Sequence, residues 1–273
     1  MAPAAVADPA RDAYEAFAPF YDAFTASYEY DRWLDRIEAR ALGLGLAGRR
    51  LLDIGCGTGK SFMPLLRRGY DVTGCDLSPA MADRARRRAR GAAHVVVADM
   101  RDLPSLGVFD LATCLDDGLN YLTTEAELEE AFAGAARNLA DGGLLVFDLN
   151  SLATFRTVFA SQEVVASGGA VFSWRGEGDP HAVPGALAAA VIEVLPDGDE
   201  HHEGALTRHV QRHHPPSTVK RCLETAGFEL GDLLGQSPGA RLERPPDEER
   251  HSKLLYFARK RSPSRRPVAP GRR

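Results

Sequence analysis

The sequence predicts an α/β chain built on an open, mostly parallel sheet, and three observations carry that prediction. Short apolar β-type runs alternate with helical segments between residues 50 and 150. The first of these runs, Arg50–Ile54, feeds directly into a glycine-rich turn, Gly55-Cys56-Gly57-Thr58-Gly59, that opens onto a helical segment. The chain has 273 residues, 44% hydrophobic and 26% charged, which suits one large domain with a sizeable core and excludes a largely disordered or collagen-like chain.

Taken in order, the stretch 9–46 reads as one or two helices and holds Tyr14, Phe17, Phe20, Tyr21, Phe24, Tyr28, Tyr30 and Trp33. Strands follow at 50–54, 70–75, 94–98, 109–114 and 144–149, with helices at 61–68, 79–90 and 125–139 between them. In the last helix Leu128, Phe132, Ala135, Ala136 and Leu139 form one apolar stripe. Glu125, Glu127, Glu129 and Glu130 crowd its N-terminal half, where the helix dipole favours negative charge. Such alternation demands parallel strands joined by right-handed crossovers. After Asn150 the pattern changes, and 164–175, 186–195 and 204–213 read as three strands of an antiparallel insertion. A helix at 217–226 and strands at 228–234 and 253–259 then return to the main sheet. The chain divides accordingly into an N-terminal helical segment (1–48), a core (49–150), the insertion (151–215), the end of the core sheet (216–260) and a basic tail (261–273).

Composition narrows the function. The apolar runs fall far short of the roughly 20 residues needed to span a bilayer, so no membrane partner is expected. The first ten residues lack a cationic stretch followed by an apolar one, which makes a cytoplasmic location the default expectation. Cys56, Cys75, Cys114 and Cys222 form no CxxC pair, so neither a disulfide framework nor a zinc cluster is indicated. Net charge is −5, but residues 259–273 hold seven bases and no acid, leaving −12 on residues 1–258. An acidic body repels a phosphate backbone, which disfavours a nucleic-acid partner, and the tail reads as a solubilising end. No fixed-period repeat is present.

Three nucleotide readings compete for the glycine turn. A dinucleotide fingerprint GxGxxG needs Gly or Ala where Lys60 stands, which puts its close helix-to-strand packing in doubt. A P-loop, GxxxxGK[ST], fits Gly59-Lys60-Ser61 but needs glycine at Ile54. The third pattern, GxGxG preceded by an acid two residues earlier, Asp53, resembles motif I of the class I S-adenosylmethionine-dependent methyltransferases.

That resemblance extends along residues 50–150. Asp76 ends the second strand 23 positions after Asp53, near the spacing at which such folds place an acid on the ribose hydroxyls. Asp99, with Met100 beside it, matches the family position that meets the adenine. Leu139-Ala140-Asp141-Gly142-Gly143 is similar to the family's turn into strand five, with Asp141 replacing the usual Pro. The resemblance implies a Rossmann-like fold with a seven-stranded, mostly parallel sheet and helices on both faces. It implies S-adenosylmethionine as cofactor, held by Asp53, Gly55, Cys56, Gly57, Gly59, Asp76, Leu77, Asp99, Met100, Leu115 and Asp116. Tyr14 and Tyr21 lie in a segment that looks like the family's N-terminal helical lid, and both are expected over the cofactor.

For the acceptor, the segment Cys114-Leu115-Asp116-Asp117-Gly118-Leu119-Asn120-Tyr121 follows the fourth strand, whose end faces the ligand crevice in a parallel sheet. Asp117 and Asn120 read equally as substrate-orienting groups or as turn and helix caps. In the insertion, His209, Gln211 and His213 share one face of a strand while Arg208, Val210, Arg212 and His214 share the other. His209, His213, Asp117 and Tyr21 are the catalytic candidates, and Asn120, Tyr121 and Arg212 the substrate-binding ones. No metal is expected, because the histidine row lacks carboxylate partners and a zinc spacing. A methyl group on a sulfonium is already reactive, so positioning and exclusion of water dominate the chemistry. The layout is similar to glycine N-methyltransferase and the deoxyamino-sugar N-methyltransferases, in which the inserted sheet covers the substrate and often joins two subunits. It implies methylation of a nitrogen or oxygen on a small natural-product acceptor, with a homodimer as an expected assembly. A peptide or RNA acceptor, or a protein that retains the cofactor without transferring the methyl, is the alternative.

Overall fold

The computed structural model describes residues 8–196 and 204–262. Three helices, α1 (Pro9–Phe17), α2 (Tyr21–Phe24) and α3 (Tyr30–Gly43), precede β1 (Arg50–Ile54). One or two were expected. Asp8 caps α1 by accepting from the Arg11 N–H at 3.0 Å, and Pro9 suits the first helical turn. After β1 come α4 (Met63–Arg67), β2 (Asp71–Asp76), α5 (Pro79–Ala89), β3 (His94–Val97), β4 (Phe109–Cys114), α6 (Glu125–Asn138) and β5 (Leu139–Asn150). Thr124 and Glu127 form a reciprocal capping box at the start of α6, fixing where the chain leaves the cleft and enters the helix.

A short helix, α7 (Leu152–Thr157), leads into β6 (Gln162–Ser167), β7 (Ala170–Gly176), β8 (Leu187–Pro196) and β9 (Ala205–Arg212). These form a separate antiparallel sheet in that order. The insertion thus has four strands, not three. The run read as one strand over 164–175 folds back at Gly168-Gly169, where both residues have positive φ (+57° and +79°), the requirement of a two-residue hairpin turn. The chain ends with α8 (Pro216–Thr225), β10 (Phe228–Ser237), β11 (Arg241–Glu243) and β12 (Lys253–Lys260). The turn containing His201 and His202, and all of the basic tail beyond residue 262, lie outside the described residues.

The main sheet has the order β11-β10-β12-β5-β4-β1-β2-β3, parallel from β5 to β3 and antiparallel from β5 to β11. The expected seven strands are present, and the three-residue edge strand β11 makes an eighth. Connections run one way from β1 to β3 and the other way from β4 to β5, so a crevice opens between the carboxyl ends of β1 and β4. One face of the sheet buries Leu128, Phe132 and Ala135 of α6 with Val219 and Leu223 of α8. The other buries Trp33, Leu34 and Ile37 of α3 with Ala82 and Ala85 of α5. Phe17 and Phe20 pack instead on the second sheet, against Phe172 and Ile192. The N-terminal segment therefore bridges the two sheets above the crevice. No described helix is long and apolar enough to cross a membrane.

Candidate active site

Gly55, Gly57 and Gly59 all have positive φ (+66°, +54° and +84°), which explains the alternating glycines that follow β1. Gly55 and Gly57 present bare backbone to a cleft that they line with Asp76, Leu77, Met100, Leu115 and Asp116. Gly59 faces the other way. A Cβ there would meet the Phe62 ring at 2.7 Å and the Ala85 backbone at 3.3 Å, so Gly59 supplies the close packing that Lys60 put in doubt. The cleft continues past Gly55, Leu77 and Met100 toward Asp99 and Arg101.

Asp76 sits at the centre of this cleft. Its carboxylate accepts from the Gly57 N–H at 2.8 Å and the Ser78 N–H at 2.9 Å, and burial pushes its pKa up to about 6. Asp99 holds the guanidinium of Arg101, which also reaches Asp8 ahead of α1. Glu15 of α1 accepts from the Ser78 hydroxyl at 2.6 Å, and Asp22 of α2 from the Thr58 hydroxyl at 2.6 Å. The N-terminal helices are thus latched to both walls of the cleft, with the Ala80 N–H also donating to Glu15 at 3.0 Å and Lys60 donating to the Thr25 carbonyl at 2.6 Å.

Two expected ligand contacts are corrected beside Gly59. Asp53 is 1% exposed, and its two oxygens accept from the Ser61 and Thr113 hydroxyls at 2.6 Å each. It lies beneath the glycine turn and holds it in place without lining the cleft, and burial raises its pKa to about 6. Cys56 turns its thiol into the core, where a Cβ on Gly74 would meet it at 3.0 Å.

A second cavity of about 360 Å³ adjoins the cleft. Tyr14, Tyr21, Asp116 and Tyr121 line both, so the two spaces meet there. Phe172, Trp174 and Ile192 of the second sheet wall the larger cavity, with Phe17 and Phe24 from the N-terminal helices. Its floor is Asp116, Asp117 and Lys253.

Asp116 and Asp117 both have positive φ (+65° and +56°), an uncommon backbone for residues other than glycine. Their N–H groups donate to the two oxygens of buried Asp148, at 2.6 and 3.0 Å, which holds this turn. Lys253 reaches Asp116 at 2.8 Å, Asp117 at 2.7 Å and Asp148 at 3.0 Å. Burial raises Asp117 above its usual value and Asp148 to about 6, while the three carboxylates hold the Lys253 ammonium well above the usual lysine range. Tyr30 donates to Asp116 at 2.9 Å and Gln211 to Asp117 at 2.6 Å.

A directed chain of hydrogen bonds borders the junction. Tyr14 donates to Tyr121 at 2.9 Å, which leaves the Tyr121 proton for Nδ1 of His209 at 3.0 Å. With Nδ1 accepting, neutral His209 donates from Nε2 to Thr207 at 3.0 Å. Desolvation lowers the His209 pKa to about 4, so the ring is uncharged at neutral pH.

Three further expectations are corrected. His213 is fully buried away from the cavity, its Nδ1 accepting from the Gly185 N–H at 3.1 Å and its Nε2 donating to Glu248 at 2.8 Å. Asn120 is also buried. It donates to the Arg212 carbonyl and accepts from the Asn150 N–H, tying β9 to β5. The Arg212 side chain donates to the Thr123 carbonyl, on the face of β9 opposite His209. Replacing His213 with alanine should therefore lower stability by about 1–3 kcal/mol, through an unpaired Gly185 N–H and a small void, without changing ligand affinity. Urea unfolding beside calorimetry checks this, and a folded variant that no longer binds ligand would contradict it.

Lys253 and Asp148 were not singled out from the sequence, while Tyr30 and Gln211 were named there without a role in the site. One signal was available for Lys253: it opens an antiparallel strand and pairs with Asn150 at the carboxyl end of β5, a register that brings it to the crevice.

Residues 51–143 match the family model described as a methyltransferase domain. The chain carries a methyltransferase domain, set in the fold of S-adenosylmethionine-dependent methyltransferases of known structure. Among its relatives is YqeM of Bacillus subtilis (strain 168), which carries a methyltransferase's name with no acceptor in it. The two are 29% identical over 244 residues, 85% of this chain and 94% of that protein. The chain shares its fold with an S-adenosylmethionine-dependent methyltransferase from Clostridium acetobutylicum ATCC 824, at TM-score 0.76 and 21% identity, covering 91% of this chain and 99% of that one. It shares it also with the sugar N-methyltransferase KedS8 from Streptoalloteichus sp ATCC 53650, at TM-score 0.73 and 24% identity, covering 96% and 99%.

Proposed function

We propose that this methyltransferase moves the methyl group of S-adenosylmethionine to a nitrogen or oxygen of a small natural-product acceptor. The observation that carries the reading is the junction: four residues, Tyr14, Tyr21, Asp116 and Tyr121, line the glycine-loop cleft and the aromatic cavity alike.

The cleft residues fit the cofactor. Gly55 and Gly57 offer bare backbone for close approach, and Asp76 retains lone pairs for the ribose hydroxyls beyond the two N–H groups it accepts. Leu77 and Met100 flank the space leading to Asp99, which suits an adenine ring. When bound, S-adenosylmethionine supplies an activated methyl: the acceptor lone pair bonds to the methyl carbon as the carbon–sulfur pair departs to sulfur. The protein's part is to align and to dry. In this reading α1 and α2 are a lid that excludes water, and Tyr14 and Tyr121 fix the junction. Burial holds both tyrosines above the usual phenol range, so each stays neutral and acts by hydrogen bonding. His209, uncharged, keeps the Tyr121 hydroxyl pointed and acts as a positioning residue.

Calorimetry with S-adenosylhomocysteine, S-adenosylmethionine, NAD and ATP tests the cofactor, and S-adenosylhomocysteine production with supplied amines and phenols tests the transfer. Binding of NAD or ATP alone would overturn the reading. Replacing His209 with alanine is expected to lower kcat about tenfold with S-adenosylhomocysteine affinity unchanged, since one hydrogen-bonded orientation is lost. Equal losses in both would assign His209 to the fold instead.

A further inference from the structure

We propose that the acceptor is an amine carried on an apolar or aromatic body that bears no phosphate or carboxylate. This rests on the methyl-transfer reading above and narrows its acceptor.

The balance of hydrogen-bond donors and acceptors in the second cavity selects this class. Its walls are apolar: Phe17, Phe24, Val165, Phe172, Trp174 and Ile192. An anionic group would need a cation or free N–H groups. Among the described residues that line the cavity, Lys253 is the one cation, and an ammonium has three N–H donors. Asp116 and Asp117 take two of them, and the Asp148 carboxylate stands 3.0 Å from the nitrogen as a third anion paired with it. The Gln211 amide donates to Asp117 and accepts from Asn150 at 2.9 Å. Tyr30 spends its hydroxyl proton on Asp116, Tyr14 on Tyr121, and Tyr121 on His209.

What remains at the floor is almost entirely acceptor. Asp116 Oδ2 already accepts from Tyr30 and Tyr21, but Asp116 Oδ1, both oxygens of Asp117 and the Tyr14 oxygen have lone pairs beyond those engaged. Glu163 adds another carboxylate to the lining. Three carboxylates around one ammonium leave the floor with excess negative charge. A ligand that completes this arrangement brings N–H donors and positive charge, which a protonated amine does; before transfer it gives one proton to the Asp117 carboxylate, which frees the nitrogen lone pair for the methyl carbon. An alcohol brings one donor and no charge, and a carboxylate or phosphate meets repulsion from the floor carboxylates and Glu163. Aromatic walls favour a ring or an alkyl frame.

The test uses the intact protein saturated with S-adenosylhomocysteine and a matched series: 2-phenylethylamine, 2-phenylethanol, 3-phenylpropionate and 2-phenylethyl phosphate. Titration calorimetry at pH 7.5 is expected to show the amine binding roughly tenfold or more tighter than the alcohol, with neither anion detectable. The inference is overturned if the carboxylate or phosphate binds as well as the amine, if alcohol and amine bind alike, or if the amine does not bind. A second arm uses Asp117→Asn, expected to bring the amine down to the alcohol's affinity. An unchanged preference in a variant that still binds S-adenosylhomocysteine overturns the role of the floor. The same preparation separates the two readings. If S-adenosylhomocysteine itself fails to bind, methyl transfer falls. If it binds and the amine shows no preference, only the acceptor assignment falls.

Discussion

Replacing Lys253 with methionine is expected to destabilise the fold by about 3–5 kcal/mol at pH 8 and by much less at pH 5. Methionine keeps the length of the side chain and removes its charge, leaving Asp116, Asp117 and Asp148 facing one another without a cation. In the native protein burial has already raised Asp117 and brought Asp148 to about 6, with Lys253 pulling both back down. Without it their folded-state values rise further, while in the unfolded chain each stays near the ordinary 3.8 of an aspartate. A carboxyl with a raised folded value binds its proton more tightly when folded. Its contribution is most favourable at low pH and is lost as pH rises through the folded value. The penalty should therefore grow from about pH 4 to beyond pH 6. Urea unfolding at pH 5, 6.5 and 8 measures it, and an equal penalty at all three would show that the ammonium is not what compensates these carboxylates. Adding Asp148→Asn to the variant should recover part of the loss at pH 8.

The same cluster shows which parts of this molecule were legible in the sequence. Periodicity located β1 to β5 because each is an apolar run bounded by turns, and the three alternating glycines required a backbone that only glycine adopts cheaply. Those signals are local. The hairpin at Gly168-Gly169 was local too, and the Gly-Gly pair was the cue for a fourth strand. By contrast, Asp53 and Asp76 look alike in sequence, each an acid in or at the end of a strand, yet one lies under the glycine turn and the other faces the cleft. Only the packing of Ser61 and Thr113 separates them.

His209 and His213 share a strand face, as alternation requires, but their surroundings differ. The cavity reaches His209 and stops short of His213, which Glu248 and Gly185 enclose. Lys253 joins Asp116 and Asp117 across more than 130 residues of chain, and nothing in the local pattern of either segment announces the partner. Strand positions followed from the chain's own chemistry. The side chains at the floor depend on which loops the sheet order brings together.

Asp76→Asn carries the second large effect: affinity for S-adenosylhomocysteine should fall about 100-fold at pH 7.5. The carboxylate accepts from Gly57 and Ser78 N–H groups and offers its remaining lone pairs to the cleft. Asparagine has one accepting oxygen and one donating nitrogen. Wherever its NH₂ points, it faces either a backbone N–H or a ligand hydroxyl, and one bond to a charged acceptor becomes a clash of donors. That lost bond, and the weakening of the remaining one from a charged to a neutral acceptor, at roughly tenfold each give the expected loss. Stability should drop by only about 1–2 kcal/mol, because the amide oxygen keeps one backbone partner. The pH dependence provides the sharper test. Burial sets the free carboxyl near 6, and its ionised form is the better acceptor of ligand hydroxyls, so wild-type affinity should be flat above about pH 7 and weaken as pH falls through 6. The amide of the variant has nothing to titrate, and its affinity should stay level over the same window. Calorimetry at pH 5, 6 and 7.5 on both proteins decides it. Parallel pH profiles, or wild-type affinity in the variant, would move the cofactor's hydroxyl contacts away from Asp76 and leave the residue as a brace between the glycine turn and α5.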